Sequence, residues 1–212
     1  VIDNGSLAYG NLKIQKKLGL PILGIIHHPI TVDRRLELDN ARTFLERLGK
    51  RRWYAFTRMQ TRVCQKIQRI ITVSESSKED ISHDHKVDIN KIHVVPIGID
   101  TDFFAPQTNI ERIPGRIVST ASADVPLKGQ KFLLEAIAKV RNDFPHVHLE
   151  LVGKQREGST TAETLNQLGL DDIVRFNQGI SYEELVNLLA SAEVAIVPSL
   201  YEGFSIPAIE AL

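Results

Sequence analysis

One cysteine in 212 residues, Cys64, leaves no partner for an internal disulfide, which fits a reducing compartment. An excess of one charge is also lacking. Lys+Arg and Asp+Glu both number 26, so the total gives no case for nucleic-acid binding. No apolar run approaches the ~18 residues of a membrane-spanning helix, and no signal peptide opens the chain. There is no short-period repeat and no low-complexity segment. Val1 is not a starting methionine, and Leu212 stops inside an apolar helical pattern without a terminator, so a fragment is expected. The expected location is the cytoplasm.

What is present is an ordinary globular composition, 42% hydrophobic, long enough for one large domain or two of about 100 residues. Residues 116–120, 148–152, 173–176 and 194–198 read as short apolar strands, the last as a buried parallel strand. Between them, residues 130–142 place Phe132, Leu133, Ala136, Ile137 and Val140 on one helical face, and a further helix covers residues 161–168. Ser181-Tyr182-Glu183-Glu184 matches a capping box that opens a helix to Ala190. The first half is less regular: strands at 22–26, 70–73 and 92–95, and a long helical stretch over 41–68 with a break expected near Gly49. Ser76-Ser77-Lys78-Glu79 reads as a second capping box. Residues 105–114, with Pro106 and Pro114 and no periodic apolar pattern, are the linker candidate. Repeated βαβα units imply parallel sheets with helices on both faces.

The densest chemistry closes the chain. Seven residues separate Glu202 from Glu210, among them Gly203, Phe204 and a Ser205-Ile206-Pro207 helix start. A strand handing over to a helix is where open α/β sheets bind ligands. The free N–H groups of a helix start suit a phosphate. Carboxylates repel phosphate but accept from hydroxyls, so the pair suits sugar or ribose hydroxyls around an anion. The plainer readings are an exposed turn acid for Glu202 and an ill-placed charge on an apolar helix for Glu210, a cost that a ligand would offset.

This pattern resembles the Glu-x7-Glu motif of retaining glycosyltransferases of the GT-B fold, above all glycosyltransferase family 4. Thr72-Val73-Ser74-Glu75-Ser76-Ser77 looks like the family's Val-Ser-x-x-Ser strand end. Val95-Pro96-Ile97-Gly98-Ile99-Asp100 resembles its exit to the linker, with Ile97 where Asn is usual. Lys128-Gly129 looks like the motif before the first donor-domain helix, and Leu151-Val152-Gly153 like the next strand end. The implied fold is α/β of the GT-B type, with two Rossmann-like parallel-sheet domains facing a cleft and both incomplete. Residues 1–104 would be the acceptor side, 105–114 the linker and 115–212 the nucleotide-sugar donor domain.

The resemblance implies transfer of a sugar from a nucleotide-diphosphate donor to a glycan, lipid or small-molecule acceptor, with no metal and no cofactor. His27, His28 and Glu202 would act at the reacting centre; alternation leaves open which histidine points inward, with His27 preferred. Lys128, Gly129, Ser122, Gly203, Phe204, Ser205 and Glu210 would hold the donor. Members commonly carry an arginine ahead of the Lys-Gly pair. This chain has none there and Arg116 sits too early, so either Ser122 and backbone N–H groups take over or the grip on the diphosphate is weaker. Asp100-Thr101-Asp102 matches the metal-binding Asp-x-Asp of the GT-A fold in letters, but its place after Gly98 fits the linker entry. A GT-B epimerase or phosphorylase, or a non-catalytic nucleotide- or sugar-binding module, are the alternatives.

The neutral total hides a local imbalance. Residues 40–69 carry nine Lys/Arg and one acid, Glu46. Arg47, Arg51, Arg58, Arg62 and Arg69 recur at four and seven, which on one helix shares a face. That face is either solvated and balanced by acids elsewhere, or a contact for an anionic membrane or a phosphorylated lipid-linked acceptor, with Arg51, Arg58 and Arg62 at its centre. In the second case the enzyme would sit peripherally at the inner face of a membrane.

Overall fold

Short aliphatic runs alternate with helices along the chain, and the computed structural model, which describes residues 2–120 and 125–212, gathers them into two parallel-sheet units. The first comprises Val1–Ile97 with Glu202–Phe204, the second Gly98–Tyr201 with Ser205–Leu212.

In the first unit the order is β1 (Ile2–Asn4), α1 (Tyr9–Leu18), β2 (Leu23–Ile25), α2 (Ile30–Asp39), α3 (Phe44–Trp53), α4 (Thr57–Cys64), β3 (Arg69–Thr72), α5 (Glu75–His85) and β4 (Ile92–Val94). The sheet runs β1-β2-β3-β4, all parallel, with Gly24 opposite Asp3 on one side and Ile70 on the other. Its core joins Ile22, Ile26, Ile70 and Ile92 of the sheet region to Val63, Cys64 and Ile67 around the end of α4 and Ile81 of α5. Burial at this depth is worth about 1.5–3 kcal/mol per aliphatic side chain. It also pushes the Cys64 thiol up to about 12, which keeps it protonated and inert.

Three expectations are corrected here. The helical run over 41–68 is two helices joined by a 3-10 turn, Tyr54–Phe56, and Gly49 lies inside α3. An interior glycine costs a helix ~1 kcal/mol but does not end it. The break falls at the aromatic turn, where Tyr54 and Phe56 stack at 6.1 Å and Thr57 donates its hydroxyl to the Tyr54 carbonyl. Arg69 begins strand β3, so the five arginines do not share one helical face. The cap of α5 is Ser74, whose Oγ accepts from Ser77 N at 3.1 Å; β3 ends at Thr72, and Ser74 is the first hydroxyl beyond it. β1, α1 and α2 were not foreseen.

The second unit follows the sequence closely: β5 (Arg116–Thr120), α6 (Gln130–Asp143), β6 (His148–Val152), α7 (Thr160–Leu168), β7 (Val174–Asn177), α8 (Tyr182–Ala190), β8 (Val194–Ala195) and α9 (Ile206–Glu210). The Ser181 and Glu184 capping box forms in full. Leu134 and Ile137 of α6, Leu149 and Leu151 of β6 and Leu165 of α7 make the core, so Leu134→Ala would cost about 2–5 kcal/mol. The predicted buried strand at 194–198 shrinks to two exposed residues. The reason is its place in the sheet, where β8 pairs with β5 and with no other described strand.

His85 ends α5 almost wholly enclosed, its Nδ1 3.0 Å from Thr61 Oγ1. Burial holds its imidazole below the ordinary histidine range, against the opposing pull of Asp84. The folded state therefore binds fewer protons than the unfolded one, and stability falls as pH drops through the ordinary value of about 6.5. Denaturant unfolding of the full-length protein between about pH 7 and pH 5 is expected to show this loss, and His85→Gln to flatten it. Equal pH slopes for the two proteins contradict the assignment.

Candidate active site

The second sheet is ordered β7-β6-β5-β8. The chain steps outward from β5 to β6 and β7, then returns to pair β8 on the other side of β5. Such a reversal leaves a crevice outside the carboxyl ends of the two strands where it occurs, β5 and β8, the usual ligand position in open α/β sheets. β5 leads toward the turn that carries Lys128, and β8 toward Pro198 and then Glu202. Arg116 is at the opposite end of β5, where its guanidinium donates to Ser191 Oγ at 2.8 Å. Ser122 lies outside the described residues.

Lys128 closes a 3-10 turn, Pro126–Lys128, and Gly129 both ends that turn and starts α6. Gly129 has φ 65, and a Cβ built on it would lie 2.0 Å from the Pro198 carbonyl oxygen. No residue but glycine fits. Leu200 N also donates to the Leu127 carbonyl at 2.8 Å. The Lys128 turn and the segment beyond β8 are thus fastened to each other through backbone.

Within the first unit, Gly203 packs against the carbonyl of His27. A Cβ there would come within 2.4 Å of that oxygen, and Ser77 Oγ donates to the same carbonyl at 3.0 Å. The glycine is required by this close approach. The histidine pair divides: His28 Nε2 is 2.9 Å from Asp33 Oδ2, whereas the His27 side chain is exposed. Glu202 and Phe204 are half-buried.

Ser205 occupies the cap position of α9 but makes no capping bond; its buried hydroxyl has no partner among the described residues. A buried hydroxyl left unpaired costs about 1–3 kcal/mol. Glu210 is the last residue of α9, one turn in, where the sequence suggested two. Burial holds its carboxyl above the ordinary range. It lines a cavity of ≈ 230 Å³ with Phe104, Gln107, Arg112 and Leu189, a cavity that Lys128 and Gly129 do not line. Asp100 is occupied in a turn, its Oδ1 accepting from Asp102 N and Phe103 N. Among the described residues no group of three His, Cys, Asp or Glu could hold a metal ion.

The family described as "Glycosyl transferases group 1" matches residues 106–212. "Glycosyltransferase Family 4" matches residues 2–103. The chain belongs to the group 1 glycosyl transferases. An MMP alpha-(1->4)-mannosyltransferase of Mycolicibacterium hassiacum is 48% identical over all of this chain and 50% of its own length. A D-inositol 3-phosphate glycosyltransferase of Mycolicibacterium smegmatis is 30% identical over 72% of this chain and 37% of its own. The chain thus spans half or less of these relatives. Among solved structures, sucrose-phosphate synthase from Thermosynechococcus elongatus superposes with a TM-score of 0.71 at 22% identity, over 96% of this chain and 50% of that one. HepE of Anabaena, solved with UDP, gives 0.68 at 17%, over 99% and 56%. These two establish the fold, which is of the GT-B type.

Two contributors in this group 1 glycosyl transferase escaped the sequence reading. Ser77 was assigned to a capping box, and nothing local signals its bond to His27. Pro198 was counted as strand; its carbonyl contact with Gly129 is long-range, and only the glycine hinted at it. Gly129→Ala in the full-length protein is expected to lose at least ~1 kcal/mol of stability, since it is strained in backbone as well as in space. Gly10→Ala, inside α1 with open space around it, should be neutral or stabilising. Unfolding curves that rank the two the other way contradict the packing.

Proposed function

We propose that the full-length protein is a retaining glycosyltransferase that moves a hexosyl group, mannosyl by analogy with the 48% identical relative, from a nucleotide-diphosphate donor. The acceptor is a glycan, a lipid-linked sugar or a small molecule. The observation that carries the reading is the reversal at β5, with Lys128-Gly129 fastened by backbone to the segment leading from β8 to Glu202. Residues 1–104 serve the acceptor side, 105–114 the linker and 115–212 the donor.

In this scheme the bond from the anomeric carbon to the diphosphate oxygen breaks while an acceptor hydroxyl oxygen bonds to that carbon on the same face. The acceptor proton passes to the departing phosphate. Lys128, the Gly203 and Phe204 N–H groups and the Ser205 hydroxyl meet the charge that develops on the diphosphate. The Ser205 Oγ, buried with no partner among the described residues, supports that role. With these donors the scheme calls on no metal ion and no cofactor. Glu202 accepts from donor-sugar hydroxyls and Glu210 from the ribose. His27 is the histidine offered to the reacting centre, because His28 is held by Asp33.

Transfer assays on the full-length enzyme with GDP-, UDP- and ADP-sugars test the activity. Turnover with one donor is expected, and Lys128→Met should lower kcat about 100-fold or more. Tight nucleotide binding with no turnover on any donor would make the protein a binding module. Glu210 gives an independent check. Its folded carboxyl prefers the proton, so ionisation costs stability as pH rises past the ordinary carboxylate range. Glu210→Gln should leave the unliganded protein at neutral pH as stable or more so, yet weaken nucleotide binding. A destabilised variant that binds nucleotide normally rejects the ribose role.

A further inference from the structure

Helix α3 is built inside out. It buries none of its residues, and Phe44 and Leu45 are 78% and 77% exposed, with Leu48 and Trp53 also in solvent. Its inward bonds are polar: Lys50 Nζ lies 2.8 Å from Glu37 Oε2 of α2 and 2.9 Å from Glu46 Oε1. At 100° per residue, Glu46 and Lys50 share one side, and Phe44, Leu45 and Leu48 share the other. Arg47 and Arg51 flank that apolar face and Arg52 stands within it, all three exposed. An ordinary surface helix presents the reverse arrangement.

The helix does not owe its existence to a core. Thr43 caps it by accepting from Glu46 N at 3.1 Å, and Glu46 reaches back to Arg42 N at 2.9 Å. Helices of this length are marginal alone; here the cap and the Lys50 bridge hold one whose apolar side faces outward. No helix among the described residues is long and apolar enough to cross a membrane.

We propose that α3 is a docking face for an anionic phospholipid surface, with Phe44, Leu45 and Leu48 entering the interface and Arg47, Arg51 and Arg52 meeting the headgroups. Apolar side chains set among cations are the interfacial pattern. A two-fold contact between copies would bring these arginines against themselves, and Glu46, the one acid of α3, is already held by Lys50. The face differs from the one expected from spacing. Arg62 bonds the Tyr9 hydroxyl from α4, and Arg58 also lies beyond the 3-10 turn. The inference deepens the membrane-borne acceptor reading and rests on it only for biological purpose, because binding is read without turnover.

The test is flotation of the full-length protein with vesicles of phosphatidylcholine alone and of phosphatidylcholine with an equal share of phosphatidylglycerol. Binding is expected on the anionic vesicles, weakening as salt rises. Phe44→Ser with Leu48→Ser, and separately Arg47→Glu with Arg51→Glu, should each lower it at least tenfold. Lys16→Glu with Lys17→Glu, an equal charge change on exposed α1 residues, should lower it by less than threefold. Three outcomes overturn the proposal: no binding to anionic vesicles, binding that the α3 variants leave intact, or self-association abolished by those variants without lipid binding. A protein that binds vesicles but transfers no sugar would overturn the glycosyltransferase reading and leave the docking face standing.

Discussion

The approach of Gly129 to the Pro198 carbonyl is the constraint on which the second unit's proposed site depends. A Cβ 2.0 Å from that oxygen is impossible, so the turn after β5 and the segment after β8 can meet only through a glycine. Once they meet, the Leu200–Leu127 backbone bond follows. Lys128 closes the turn fastened in this way, so its backbone position is set by these contacts.

The same device recurs in the first unit with a different cause. Gly129 needs a positive φ as well as space, whereas Gly203 needs space alone, against the His27 carbonyl. Ser77 bonds that carbonyl with its hydroxyl. Two glycines, each enforced by a carbonyl rather than by flexibility, thus position the residues proposed to act on the donor. The Ser205 hydroxyl, without a partner among the described residues, and the half-buried Glu210 are the corresponding costs, which a ligand would relieve.

The second unit was legible because its helices carry apolar stripes and β6 runs directly into Gly153. β5 and β6 fall where the pattern put them, and the Ser181 box forms in full. The first unit was less so. α1 buries no residue, and α2 buries only Val32 and Leu38; a helix without an apolar stripe leaves no period to detect. The basic run misled for another reason. Spacing at four and seven implies one face only if one helix carries it, and the Tyr54–Phe56 turn divides the run. The residues proposed for the site were readable as motifs. The contacts that require Gly129 and Gly203 were not, since Pro198, His27 and Ser77 act from far along the chain.

Hydrogen–deuterium exchange of the full-length protein with and without a nucleoside diphosphate tests the central claim most directly. Backbone amides at 126–130 and at 198–205 should gain protection together, because one ligand is proposed to bridge two segments already joined by backbone. Protection confined to other parts of the second unit, such as β7 and α8, with both segments unchanged, would contradict the account.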